Sequence, residues 1–180
     1  MSQGSPDSSR GLSPTGRALF ATVTSGYVAA VNKWELDILV AEDTPSDIDV
    51  LKMALARCGH VRSLQIVKDG SEVIGYLRGD PPFNQPRRQV PNIVILDLKM
   101  PHMNGLQVLE WLRANPECSV IPAIIFSSSG LEDDVLRAYR AGANAYFEKP
   151  TDFDQLQEIL HSILKFWSHA RRPPVTALKC

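Results

Sequence analysis

What this chain is short of narrows its class before any motif is read. No stretch of its 180 residues approaches the roughly 18 consecutive apolar positions of a membrane-spanning helix. Neither sign of charge dominates. The 19 Lys and Arg set against 20 Asp and Glu leave a formal net charge of −1, so nothing global asks for nucleic acid or an acidic substrate. Cysteines number three, Cys58, Cys118 and Cys180; they are odd in number and too widely spaced for a ligand set, which reads as reduced thiols in the cytoplasm. His60, His102, His161 and His169 are scattered without a second ligand at helical spacing, and read as surface residues. A glycine-rich loop of the Walker type is missing, and Lys149, which a proline follows, ends a strand instead of opening a helix.

What is present is a set of strand ends. Ile93-Val94-Ile95-Leu96 has no polar alternation, the pattern of a strand covered on both faces in a parallel sheet, and it stops at Asp97 before Lys99-Met100-Pro101 and Asn104-Gly105. In such sheets function collects at the carboxyl edge. Leu36 to Ala41, interrupted by Asp37, stops at Glu42-Asp43, after which Thr44 suits a helix N-cap and Pro45 its first turn. Ala123-Ile124-Ile125-Phe126 ends in Ser127-Ser128-Ser129, and Ala143 to Glu148 ends in Lys149-Pro150. Acids packed together repel unless a cation sits among them, and an all-oxygen cluster of Glu42, Asp43 and Asp97 suits a hard divalent ion such as Mg2+.

Periodicity predicts five strand-then-helix repeats: strands near 36–41, 63–68, 92–97, 121–127 and 143–148, and helices near 45–58, 70–78, 105–114, 131–141 and 152–168. Ile48, Leu51 and Leu55 form one helical stripe, and Phe153, Leu156, Leu160, Ile163 and Trp167 another. The alternation implies right-handed crossovers and a doubly wound α/β sheet with helices on both faces. Hydrophobic residues at 44% and this length suffice for one domain with a sizeable core. Residues 1–34, rich in Ser, Gly, Thr and Ala, read as an extension, disordered or with a short helix over Ala18–Val31. A signal peptide competes there, but Thr22, Thr24, Ser25 and Gly26 dilute its apolar region; an over-extended translation start also accounts for the segment. Gly79 to Pro91 is a long loop.

These residues together resemble the CheY-like receiver domain of two-component response regulators, from about Leu36 to Trp167. The resemblance implies a flavodoxin-like five-stranded parallel sheet in the order 2-1-3-4-5. It makes Asp97 the phosphoacceptor, with Lys149 and Ser127 as its catalytic partners. A Mg2+ site would be formed by Asp43, Glu42, Asp97 and the backbone carbonyl of Lys99. Ser127 and Tyr146 become the switch pair, Tyr146 rotating into space that Ser127 vacates, and Pro150 would follow a cis bond. The chemistry stands without the family: a carboxylate can hold a phosphoryl group as an acyl phosphate, and positioning and charge supply the rest.

The implied protein is a single-domain regulator in a phosphorelay, phosphorylated by a sensor histidine kinase and acting through protein contacts, and not a turnover enzyme. Its receiver would span 35–168, with a tail over 169–180 that leaves no room for a DNA-binding domain. The loop before the third strand and Phe166-Trp167 resemble the small regulators that serve bacterial phytochrome-type kinases. Adjacent aromatics cannot both face one core stripe, so a homodimer or kinase contact is expected through the last helix and strand face, with Arg171 and Arg172 at its rim. The competing readings are a phosphorylation-independent interaction module, or pseudo-receiver, which would be expected to have lost these positions, and a haloacid-dehalogenase phosphatase, which would carry a second acid where Lys99 stands.

Overall fold

The computed structural model describes residues 35–84 and 89–172, together with Met1. The expected Ala18–Val31 helix, Arg87-Arg88 of the long loop, Cys180 and the tail from residue 173 lie outside the described residues. Five strands and five helices alternate: β1 (Leu36–Ala41), α1 (Pro45–Arg57), β2 (Val61–Val67), α2 (Gly70–Arg78), β3 (Ile93–Leu96), α3 (Gly105–Ala114), β4 (Ala123–Ser127), α4 (Glu132–Arg140), β5 (Ala145–Glu148) and α5 (Phe153–His169). All pairings are parallel and the order is β2-β1-β3-β4-β5, as the resemblance implied.

The unbroken aliphatic runs make sense once the two faces of the sheet are separated. Successive strand residues point to opposite sides. Leu39, Ala41, Val94, Leu96, Ala123 and Ile125 face one cluster with Val73 and Leu77 of α2 and Val108, Leu109 and Leu112 of α3. Ile38, Val40, Ile93, Ile95, Ile124 and Phe126 face the other, with Leu51 and Leu55 of α1 and Leu156, Leu160, Ile163 and Leu164 of α5. Each fully buried aliphatic side chain contributes roughly 1.5–3 kcal/mol, so a central strand with no polar position is what a covered sheet demands. The α5 stripe is as expected, except that Phe153 and Trp167 at its ends are only partly buried. Observed strand starts differ from the sequence boundaries by about two residues: β2 starts earlier, at Val61, and β5 later, at Ala145. Pairing with a neighbour, which periodicity does not see, sets those ends.

The starts of the strands are fastened by polar groups. Asp37, nearly fully buried, takes both an ion pair and two hydrogen bonds from Arg62, and the hydroxyl of Ser63 donates to it at 2.6 Å. Its backbone exchanges bonds with Asn92, N–H to Oδ1 at 2.9 Å and carbonyl from Asn92 N–H at 2.7 Å. On the other flank, Arg113 at the end of α3 donates to the carbonyls of Ser119, Ile121 and Gly142 and to Asn144 Oδ1. Asn144 Oδ1 also accepts from Ala123 N–H at 2.8 Å.

Two expectations are corrected. The cis bond lies between Pro81 and Pro82, whereas Lys149–Pro150 is trans, the form an X-Pro amide favours by about 0.5–1 kcal/mol. Thr44 is the N-cap of α1 as expected, without a side-chain capping bond, and its N–H donates to Glu42 Oε1 at 3.2 Å. Cys58 is a free buried thiol as read, but Cys118 is disulfide-bonded, since the fold and not the spacing along the chain decides which thiols meet. The histidines are also less scattered in space than in sequence, for the rings of His60 and His161 lie 5.8 Å apart.

Replacing Arg62 by Ala strands a buried carboxylate, and the expected loss is about 3 kcal/mol in urea unfolding. Asp37→Ala added to Arg62→Ala should recover part of that loss, because the uncompensated charge is then gone. A double variant less stable than Arg62→Ala alone would show that the pair is not the fastening described.

Candidate functional site: an acid cluster with one lysine

Parallel strands all end at the same edge, and the adjacent ends of β1 and β3 bring their acids together. Glu42 and Asp43 follow β1, Asp97 follows β3, and the N–H of Asp97 donates to the Ala41 carbonyl at 2.9 Å. Oxygen atoms from Glu42, Asp43 and Asp97 all lie within 4.8 Å of one another. Glu42 and Asp97 are buried and Asp43 partly so. Every donor in the cluster is a carboxylate oxygen, the set that hard divalent cations prefer. Lys99 stands exposed in the turn after Asp97.

Lys149 enters from the end of β5. Its N–H bonds the Ser127 carbonyl at 2.8 Å, which sets the start of its side chain. The Nζ then reaches Glu42 Oε2 at 2.6 Å, Asp47 Oδ2 at 3.0 Å and Asp97 Oδ2 at 3.6 Å. Asp47, in the first turn of α1, is a partner that the strand-end reading missed. Its signal was weak, an acid two residues into a helix that favours acids there anyway.

The charges do not balance. Burial raises the Glu42 carboxyl above its ordinary range, more than the Lys149 ammonium can offset, and the Asp97 charge pushes the same way. Burial opposes the charge on Lys149 too, yet Glu42, Asp97 and Asp47 outweigh it and raise its pKa. Three carboxylates around one ammonium, with Asp43 beside them, leave the site short of positive charge. A divalent cation fits that shortage.

The hydroxyl and aromatic expected at the site are also at this edge. Ser127 is fully buried at the end of β4, and its Oγ accepts from Ser129 N–H at 3.4 Å. Tyr146 packs against the cluster under α2 and α3, and its hydroxyl donates to the Ser129 carbonyl at 2.6 Å. Burial, then the charge of Asp134, raises the Tyr146 pKa. Ser129, two residues on, is itself buried and donates to Asp134 Oδ2 at 2.6 Å. One short loop thus joins Ser127, Tyr146 and the first turn of α4.

Asn104-Gly105 explains how α3 begins beside Asp97. Asn104 Oδ1 accepts from Gln107 N–H and Gln107 Oε1 from Asn104 N–H, each at 3.0 Å, a reciprocal cap. Gly105 N–H donates to the Leu98 carbonyl, and a Cβ on Gly105 would stand 2.4 Å from the Asp97 carbonyl oxygen. Only glycine lets the helix approach this closely.

Residues 38–161 match the model of the response regulator receiver domain, which is more than half of the chain. The chain belongs to the response regulator receiver family. As a receiver it serves two-component signal transduction, opposite a histidine kinase. It is 30% identical to the response regulator Rcp1 of Synechocystis sp. over 131 residues, which cover 72% of this chain and 87% of that protein. The crystal structure of the phosphorylated cyanobacterial phytochrome response regulator RcpA superposes with a TM-score of 0.70 at 31% identity, covering 78% of this chain and 99% of that one. The Mn2+-bound form of Rcp1 gives 0.68 at 29% identity, covering 77% and 99%. Among the described residues no helix is long and apolar enough to cross a membrane.

Gly105→Ala should cost about 1–3 kcal/mol in denaturant unfolding, because the clash is with backbone that cannot rotate away. The same variant should bind divalent ions more weakly by titration calorimetry, since relief of the clash moves Asp97. Parent-like values for both would show that α3 does not position the acid.

Proposed function

We propose that Asp97 is the phosphoacceptor of this receiver, and that Asp43, Glu42 and Asp97, with the carbonyl of Lys99, hold Mg2+. The observation that carries the reading is the convergence of Lys149 and the acid cluster at one sheet edge, 3.6 Å between Nζ and Asp97 Oδ2. Bound Mg2+ would supply positive charge to the oxygens of an incoming phosphoryl group. Asp97 is well placed as nucleophile, for its Oδ1 is fixed by the N–H of Leu98 at 2.7 Å while Oδ2 faces Lys149. An acyl phosphate there adds roughly 1.5 to 2 negative charges and strong acceptor oxygens. Lys149 then pairs with that charge, and the Ser127 hydroxyl donates to a phosphoryl oxygen. Movement of Ser127 is felt by Tyr146 through Ser129, to which both are hydrogen-bonded. Release of the phosphoryl group to water ends the signal, so the chain is a switch and turns over no external substrate.

The partner is read as a phytochrome-type sensor kinase, on the likeness to Rcp1 and RcpA, in the cytoplasm, with the receiver spanning 35–168 between an extension and a tail. A homodimer or kinase contact is placed on the last helix. Phe166 is 65% exposed, while Trp167 packs inward and meets it edge-on at 5.2 Å. A large exposed ring propped by a second aromatic is the kind of anchor that interfaces use.

Radiolabel from a phosphorylated kinase or from acetyl phosphate should enter the parent in Mg2+ and be lost in Asp97→Asn or in excess chelator. Lys149→Ala should still bind Mg2+ yet fail to pass the change to distant amides when beryllofluoride is added. Undiminished labelling of Asp97→Asn would assign the acceptor elsewhere.

A further inference from the structure

Lys149 is shared among three acids and is hydrogen-bonded to two of them. An ammonium group donates three hydrogen bonds. Glu42 at 2.6 Å and Asp47 at 3.0 Å take two, and Asp97 at 3.6 Å lies beyond hydrogen-bond range. A phosphoryl group on Asp97 therefore draws the ammonium away from where it now rests. Which contact yields is decided by burial. The Glu42 side chain is 1% exposed, so releasing it would leave a buried carboxylate unpaired. Asp47 is 40% exposed and lines a cavity of about 380 Å³ with Ser46, Val50, Pro150 and Thr151, so water can receive it.

Resting on Asp97 as the acceptor, we infer that Asp47 is a positioning residue that competes with the phosphoryl group for Lys149, and so sets how tightly the site holds that group. The contact is exchanged on phosphorylation, with Asp47 turning to solvent as Nζ turns to the phosphoryl oxygens. Asp47 lies outside the cluster of Glu42, Asp43 and Asp97 that could hold the metal, which separates its role from metal binding.

The test is beryllofluoride titration of the full chain at saturating Mg2+, read by amide NMR. Asp47→Asn keeps the size of the side chain and removes the charge, and should tighten beryllofluoride by about two- to fivefold, the scale of one partly exposed ion pair. Asp47→Glu, which restores the charge, should bind within about twofold of the parent on the same reasoning. In a Lys149→Ala background, however weak the binding, Asp47→Asn should change nothing. Unchanged or weaker binding by Asp47→Asn overturns the inference, as does equal tightening with and without Lys149, which would make Asp47 a mere background charge. Beryllofluoride binding by Asp97→Asn would instead overturn the acceptor assignment beneath it.

Discussion

Too little positive charge at one sheet edge is the constraint around which this molecule is arranged. Parallel strands end together, and here the adjacent ends of β1 and β3 carry three acids, with α1 adding a fourth in Asp47. Water cannot screen the buried members of that set, and among the described residues Lys149 is the cation that reaches them. The result is a site with a standing demand for cations and a lysine already shared. Both properties suit the proposed acceptor role of Asp97, because Glu42 and Asp47 hold the lysine close by, 3.6 Å from Asp97 Oδ2.

The surrounding structure keeps that demand local. Ile38, Val40, Val94, Leu96, Ile124 and Ile125 fill both faces behind the edge, so the charged groups have no route to relax inward. Gly105 lets the start of α3 lie against the Asp97 backbone, and the loop from Ser127 to Gly130 joins the lysine side of the site to α4 through Ser129 and Asp134. A change of charge at Asp97 therefore meets a packed wall behind it and a hydrogen-bonded loop beside it.

Much of this was legible in the chain because parallel strands make function coincide with the end of an apolar run. Asp97, Glu42, Asp43, Ser127 and Lys149 each follow such a run, and the fold brings them to one edge. Asp47 was not legible in the same way, since its reach to Lys149 depends on how α1 docks beside β5, which no local pattern encodes. Ser129 looked like its neighbour Ser128 because a run of serines has no periodicity to rank them. The pairing of His60 with His161 likewise depends on tertiary proximity across a long separation. Asp37, which appeared only as an interruption, proved to be the buried partner of Arg62.

That last pairing gives the sheet a mechanical asymmetry. At the strand starts Asp37 is met by Arg62 and Asn92, and Asn144 by Arg113, whereas the strand tips carry charge that is only partly met. The sheet is in effect a set of cantilevers clamped at the base and loaded at the free end. A change of charge at Asp97 would therefore act at the tips and their loops, at the opposite end of the strands from these polar clamps.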